Sequence, residues 1–317
     1  MKLTHWVCGV ALTAVIGVSV GCAPGPVDGS SAAPARGALF GIYQQPIANS
    51  SVLQQKQRLQ AAEATNGRRY DILHYYYQWG GGFPTWREPY WLSGNRTPLL
   101  SWAGPVTSSI TNGSQDRIID ARARGLKALG RPVLLRWFWE MDGLRNRGRA
   151  LNPTTYKAAW RRIVTRFRAA GAHNVEFVWC PTAWGFKNGT APSWYPGDDV
   201  VDWTCTDGYN WAPLRPGSEW KSFTEIYQEY YDWAAKHPRP MLVGEFGVME
   251  DSPGRKAQWL TDARNALKTR FPRIKGVVYF NGDGEEDRPY VWAINTSESS
   301  RAAWTAWAGD PYFRQRQ

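Results

Sequence analysis

The stretch "RPVLLRWFWEMDG", residues 131–143, is the most informative part of this chain about its fold. Apolar and aromatic residues surround a single Arg and lead directly into Glu140. A short apolar run of this kind predicts a buried strand. Glu140, which ends this run, is either an ordinary acid exposed to solvent at the end of a strand or a functional carboxylate. The second interpretation arises because an acid beside an apolar strand is costly to desolvate.

Seven further runs of the same kind are spaced along the chain, and helical patterns separate most of them. The predicted strands cover 38–44, 70–77, 97–103, 131–138, 174–180, 200–206, 239–246 and 275–281, and the predicted helices cover 51–66, 114–129, 153–171, 222–237 and 254–271. Apolar strands that alternate with helices form a parallel sheet covered by helices. Eight such units predict an α/β fold, a single (β/α)8 TIM barrel over residues 38–317. No Gly-rich phosphate loop follows a strand, which argues against a Rossmann-type sheet.

The N-terminus has the pattern of an export signal. "MKLTHWVCGVALTAVIGVSVGC" (1–22) combines a short basic start, an apolar stretch and small residues before Cys22. The pattern predicts a signal peptide of the lipoprotein type with a lipid on Cys22, and plain secretion is the alternative. Residues 23–37 read as a flexible linker. We therefore expect a secreted protein, tethered by its lipid to the outer face of the bacterial cytoplasmic membrane.

The formal net charge of +11 does not indicate a nucleic-acid partner. The Arg residues are scattered over predicted helices, which is typical of solvated helix faces. We expect a monomer. With Cys22 lipidated, Cys180 and Cys205 are left in an oxidising compartment, which predicts a disulfide between them.

Acids occur where predicted strands end, and the chemistry of a (β/α)8 barrel lies at the C-terminal ends of its strands. Glu140 ends strand four, Glu245 ends strand seven, and Asp207 follows strand six. Two Glu residues at the ends of long apolar strands favour a catalytic pair. The acidic stretches 198–199 and 283–287 lack the ligand spacing of a known Ca²⁺ loop, so we expect neither a metal nor a cofactor.

Four segments resemble glycoside hydrolase family 26, and the resemblance extends over about residues 38–297. They are "LLRWFWEMDG" (134–143), "YPGDDVVDWTCTDGYNW" (195–211), "PMLVGEFG" (240–247) and "VVYFNGDGEED" (277–287). The resemblance implies a retaining glycosidase in which Glu140 is the general acid/base and Glu245 the nucleophile. Such chemistry needs no cofactor, and its partner is a polysaccharide or oligosaccharide substrate.

The resemblance also implies roles for neighbouring residues. Arg136 corresponds to a buried Arg that holds the nucleophile carboxylate, although a structural ion pair with another acid is the alternative. Tyr209 corresponds to a Tyr that donates to the nucleophile, with a core Tyr as the alternative. His74 falls where the family often has a His facing the sugar.

Trp139 departs from the pattern, because the family commonly has His directly before the acid/base. An indole offers a single N–H donor to the sugar in the reactive subsite. The resemblance implies a secreted, endo-acting β-glycanase whose substrate is β-1,4-mannan, the most common substrate of the family. The departure keeps open β-1,3-1,4-glucan, β-1,3-xylan and a bacterial exopolysaccharide or envelope glycan.

The chain contains 19 Trp residues, and flat aromatic rings stack on the apolar faces of sugars. The candidate platforms in predicted strand ends and loops are Trp79, Trp86, Trp91, Trp102, Trp184, Trp211 and Trp292. A non-catalytic sugar-binding lipoprotein is the alternative of a different class. Such a protein has no need of a Glu pair on strands four and seven.

Overall fold

Eight parallel strands form a closed barrel in the part of the chain that the structure, a computed structural model, describes: residues 32–213, 215–282 and 290–314. The strands are β1 (Leu39–Gln44), β2 (Ile72–Tyr77), β3 (Thr97–Trp102), β4 (Val133–Trp137), β5 (Val175–Trp179), β6 (Trp203–Asn210), β7 (Met241–Val248) and β8 (Ile274–Asn281). They pair in chain order, and β8 pairs with β1. The predicted TIM barrel is confirmed.

Helices cover the outside of the barrel. Five lie where the sequence predicts them: α1 (Val52–Thr65), α4 (Asp116–Lys127), α6 (Pro153–Ala169), α8 (Phe223–Ala234) and α9 (Arg255–Thr269). Five others lie outside the predicted helices: α2 (Arg87–Ser93), α3 (Thr107–Thr111), α5 (Leu144–Ala150), α7 (Ala183–Lys187) and α10 (Glu298–Gly309). Four of these have only five to seven residues, which is too short to show a helical period. No helix in the described ranges is long and apolar enough to cross a membrane.

Capping residues set where several helices begin. Ser222 accepts a hydrogen bond from the backbone N–H of Glu225, whose side chain accepts one from the Ser222 backbone in return. Asn152 caps α6 directly before Pro153, a residue that suits the first helical position. These caps fix where the chain leaves each loop.

The core has two layers, which follow from the alternation of side chains along each strand. Outward-facing Trp137 of β4 packs between the barrel and α6, stacked on Tyr156 at 5.4 Å between ring centroids. Inward-facing residues such as Leu39 and Leu134 fill the lower part of the barrel. The upper part is therefore left for the polar residues described below.

Residues 32–37 pack against the bottom of the barrel, although the sequence places them in the flexible linker. Ala32 is buried in the inner cluster, and its backbone N–H donates to Glu176 Oε1 at 2.7 Å. This part of the predicted linker is part of the fold. The predicted signal peptide, Cys22 and the rest of the linker lie outside the described residues, as do 283–287 of the acidic loop.

Candidate active site

Arg136 is the centre of the site. It points from β4 into the barrel, is fully buried, and its Nη1 donates to Asp207 Oδ1 and Oδ2 at 2.7 and 2.8 Å. Its Nη2 donates a short hydrogen bond to Glu245 Oε1, and its Nε donates to Ser101 Oγ at 2.7 Å. One guanidinium therefore holds carboxylates from β6 and β7. The predicted contact with Glu245 is present, and so is a structural ion pair, with Asp207.

Two tyrosines complete the surroundings of Glu245. Tyr209 Oη donates to Oε2 at 2.5 Å, and Tyr76 Oη donates a short hydrogen bond to Oε1. Burial first, and then the charge of Glu245, raise the pKa of both phenols well above the usual value, so they remain donors. Three side-chain donors thus hold the Glu245 carboxyl group in one orientation, as a nucleophile requires.

Gly244, which has no side chain, allows the charge cluster of Arg136, Asp207 and Glu245 to pack closely. A Cβ atom at this position would lie 2.6 Å from Cys205 Sγ, 2.8 Å from Asp207 Oδ1 and 2.9 Å from Arg136 Nη1. The pairing of β6 with β7 shifts register here, so that Thr206 lies opposite Val243 and Asp207 opposite Glu245. An inserted residue of this kind re-aims the next side chain. Gly244 thus lets Glu245 face into the barrel beside Arg136.

Glu140 lies just beyond β4 on a tight turn of the backbone. Phe138 and Glu140 have φ values of +47° and +51°, in the left-handed region that non-glycine residues seldom adopt. The Glu140 backbone N–H donates to the Cys180 carbonyl at 2.7 Å, which ties the turn to the end of β5. Backbone strain of this kind persists where the surrounding structure holds it.

The electrostatic setting of Glu140 is opposite to that of Glu245. Burial first, and then the negative charge of Glu245, raise the pKa of Glu140 to about 8, against the lowering effect of Arg136 and Arg145. Glu140 is therefore protonated at neutral pH. A carboxyl group with a raised pKa and a second one held by three hydrogen-bond donors at the same barrel mouth provide the acid and the nucleophile that retaining glycoside cleavage uses.

Trp139 forms a wall of the mouth beside these groups. Its half-buried indole lies 5.1 Å from the Tyr76 ring and 5.6 Å from the Arg136 guanidinium carbon. Asn146 Nδ2 holds the Trp139 carbonyl at 3.0 Å, which fixes its backbone. Among the described residues, no acceptor takes the indole N–H. The residue where the family pattern has His is therefore an apolar surface with one free donor.

His74 does not face the cleft, contrary to expectation. It is 3% exposed, and its Nε2 lies 2.6 Å from Ser101 Oγ and 3.2 Å from Arg136 Nη2. Burial, followed by the charge of Arg136, lowers its pKa well below the usual value, so it is neutral. Since β2 continues to Tyr77, Tyr76 takes the place at the mouth. The alternation in "ILHYYY" was the available signal, because His74 and Tyr76 share a face.

The predicted tryptophan platforms differ in how far they are exposed. Trp184 on α7 is 66% exposed and free to stack on a sugar, whereas Trp86 and Trp211 are partly exposed. Trp91, Trp102 and Trp292 are buried, which excludes them as open platforms. Trp79 stacks on Trp102 at 4.1 Å, and Trp292 backs Tyr209 at 4.8 Å. These two tryptophans therefore support the walls of the site.

A disulfide joins Cys180 at the end of β5 to Cys205 on β6, with 4.3 Å between the Cα atoms. It lies directly beneath the charge cluster, since Cys180 Sγ is 3.2 Å from Asp207 Oδ1. The bridge holds together the two strands that carry Asp207 and the support of the Glu140 turn.

The fold and this carboxyl pair define the class of the (β/α)8 glycoside hydrolases. The model of glycosyl hydrolase family 26 matches residues 103–232. The chain is 33% identical over 259 residues to endoglucanase H of Acetivibrio thermocellus, and 34% identical over 217 residues to a β-1,3-xylanase of an Alcaligenes species. These matches cover 78% and 60% of this chain but only 28% and 43% of those proteins.

Solved structures show the same fold. A β-mannanase of this family from Bacteroides ovatus superposes with a TM-score of 0.62 at 15% identity, covering 88% of this chain and 90% of that one. The catalytic domain of an endo-β-1,4-mannanase from Bacillus sp. JAMB-750 gives 0.63 at 17% identity, with 87% of each chain covered. In sequence over residues 103–232 and in fold over most of its length, the chain is therefore similar to glycosyl hydrolase family 26.

Proposed function

We propose that this protein is a retaining endo-β-glycanase that works by double displacement. Glu245 attacks the anomeric carbon while Glu140 donates its proton to the glycosidic oxygen, and the leaving sugar departs with that proton. Glu140, now a carboxylate, then takes a proton from water, and the water oxygen attacks the anomeric carbon and releases Glu245. The observation that carries this proposal is the pair of carboxyl groups at the barrel mouth: Glu140, whose pKa is raised, and Glu245, which accepts hydrogen bonds from three side chains.

The change in the role of Glu140 has a physical cause. The charge of Glu245 is the second largest reason for the raised pKa of Glu140. In the covalent intermediate Glu245 is an uncharged ester, so this repulsion is absent and Glu140 loses its proton more readily. The acid of the first step can then act as the base of the second.

We propose a β-linked glucan as the substrate. The endoglucanase relative matches 78% of this chain at 33% identity, whereas the β-1,3-xylanase matches 60% of it, and the mannanases are related at 15–17% identity, where only the fold is informative. A second candidate is β-1,4-mannan, the common substrate of the family. The indole of Trp139 beside the reactive sugar is consistent with a subsite that differs from the usual one.

The first experiment measures reducing-sugar release from barley β-glucan, lichenan, mannan, glucomannan, β-1,3-xylan and envelope glycans. Glu140→Ala should no longer cleave the polymers but should still cleave substrates with a good leaving group, whereas Glu245→Ala should cleave neither. Glu298→Ala is the control, because the Glu298 side chain is 90% exposed on α10. Full polymer activity in either active-site variant refutes the assignment.

The stereochemistry provides an independent test. NMR of the first product should show the β-anomer, because two displacements retain configuration. An inverted product removes the nucleophile role of Glu245. Binding of a glycan without any cleavage would instead support the non-catalytic sugar-binding alternative.

We also propose export and lipidation at Cys22, which would bring the enzyme to the outer face of the membrane as a monomer. The support is the sequence of residues 1–22. Labelled palmitate should enter the wild-type chain in a bacterial host, whereas Cys22→Ala should remain unlabelled and be released. Equal labelling of both refutes the lipid site, and light scattering of the purified protein reports the oligomeric state.

A further inference from the structure

The loops that follow β4 and β5 carry exposed cations beside an exposed aromatic ring. Arg145 and Arg147 on α5 and Lys187 on α7 are exposed, as is Trp184. Arg145 is close enough to Glu140 that its charge lowers the pKa of that carboxyl group, against the larger effects that raise it. This surface, which we call the cationic rim, is defined by Arg145, Arg147, Trp184 and Lys187.

The two loops form one packed unit. Asp142 accepts hydrogen bonds from the Thr182 backbone N–H at 3.0 Å and from the Thr182 hydroxyl at 2.8 Å. A Cβ atom on Gly185 would lie 1.8 Å from Asp142 Oδ2, so α7 packs directly on this carboxylate. Trp184 lies two residues beyond Thr182, and Arg145 lies three residues beyond Asp142. Because Thr182 and Asp142 are in contact, Trp184 and Arg145 belong to the same part of the barrel mouth.

Arg145 and Arg147 of the cationic rim form no ion pair at contact distance with any of the described residues. Apart from Glu140, Asp142 is the single carboxyl group in 140–150 and 182–190, and it is buried. Arg147 Nη2 donates to the Asp142 carbonyl at 3.1 Å, which is a neutral acceptor, and Arg145 and Lys187 have no ion-pair partner among the described residues. Lys187 is close enough to the exposed Glu225 of α8 for their charges to interact, so the unbalanced cations of the rim are Arg145 and Arg147.

Arginines elsewhere on the surface behave differently. Arg162 and Arg166 of α6 form ion pairs with Asp116 and Asp120 of α4, at 2.5–2.8 Å. The high content of Arg in this chain is therefore balanced by acids where helices pack side by side. Unbalanced cations beside the catalytic acid indicate a ligand that brings its own negative charge.

The chemistry of the reaction tells which part of a substrate meets this surface. Glu140 protonates the leaving group, so the leaving sugar lies on the side of Glu140. A sugar with a carboxylate can pair that group with an Arg guanidinium while its apolar face stacks on an indole. We propose that the leaving-group subsites accept a uronic acid residue, which makes an anionic β-glycan the preferred substrate. This inference rests on the proposed function.

The test compares two forms of one polymer. Barley β-glucan and the same glucan partly oxidised to uronate at C6 differ in charge but not in linkage; if the panel selects mannan, the mannan pair replaces them. We expect kcat/KM for the oxidised form to be about five times that for the parent at low salt, the upper range for one exposed ion pair. The ratio should approach one in 0.5 M salt, because salt screens exposed charges (a Debye length of roughly 4 Å).

Substitutions in the cationic rim test whether its arginines cause the preference for the oxidised polymer. The double variant Arg145→Gln/Arg147→Gln should bring the ratio to about one. Arg117→Gln/Arg124→Gln is the matched control, because it removes the same number of charges from exposed positions of α4. An unchanged ratio in the double variant, or an equal loss in the control, overturns the proposal and indicates general attraction by the net charge.

The products give an independent readout. The leaving sugar becomes the new non-reducing end, so mass spectrometry should find uronate there and neutral glucose at the new reducing ends. Uronate at the new reducing ends, or a ratio of one in the wild type, overturns the proposal while leaving the glycanase intact. Absence of cleavage of every polymer in the panel instead refutes the proposed function itself.

Discussion

Replacement of Glu245 by Gln should lower the pKa of Glu140. The substitution removes a negative charge at nearly constant shape, and that charge is the second largest cause of the raised pKa. Burial, the largest cause, is unchanged. The pKa of Glu140 should therefore fall but remain above the ordinary value for a Glu side chain.

The size of the shift follows from Coulomb's law. Retaining chemistry places the two carboxyl groups about 5.5 Å apart. At an effective dielectric constant of about 20, two unit charges at that distance interact by about 3 kcal/mol. One pKa unit corresponds to about 1.4 kcal/mol, so the pKa of Glu140 should fall by about two units.

Carbon-13 NMR of protein labelled at the Glu side-chain carboxyl measures this pKa directly. Glu140→Gln identifies the resonance by its loss, and Glu298→Gln serves as a control that removes an exposed carboxylate from α10. A pKa in Glu245→Gln that is within about half a unit of the wild-type value refutes the reasoning. Burial alone would then account for the raised pKa, and the two carboxyl groups would not act as a coupled pair.

Further predictions concern activity and stability. Because Glu140 must be protonated, kcat/KM on polymers should fall as the pH rises through about 8, and Glu140→Ala acting on an activated substrate should lack this limb. Tyr209→Phe removes one donor to the nucleophile and should lower kcat about 10- to 100-fold with little change in the melting temperature. Arg136→Met leaves two buried carboxylates without a cation, so the free energy of unfolding in urea should fall by about 3–5 kcal/mol. The loss should diminish at lower pH, where the two carboxylates become protonated, and an unchanged urea midpoint contradicts this prediction. Replacing both Cys180 and Cys205 by Ser opens a bridge with a sequence separation of 25 and should cost about 3 kcal/mol, whereas a stability equal to that of wild type would show that the bridge does not restrict the unfolded chain.

The order of the strands and the two acids could be read from the sequence because both depend on local pattern. Each strand is an apolar run between turn-forming residues, and each predicted run contains an observed strand or overlaps it. Glu140 and Glu245 stand out because a carboxylate at the end of such a run is costly unless it has a function. Arg136 stands out for the same reason, as a charge within an apolar strand.

Only the tertiary structure decided what these residues contact. Tyr76 reaches Glu245 from a strand 169 positions away in sequence, and no local pattern encodes that pairing. The facing of Glu245 depends on a register shift at Gly244 that arises when β6 and β7 pair. Hydrophobic periodicity is a property of neighbours in the chain, so it predicts the barrel; the partners of a buried charge are set by closure of that barrel.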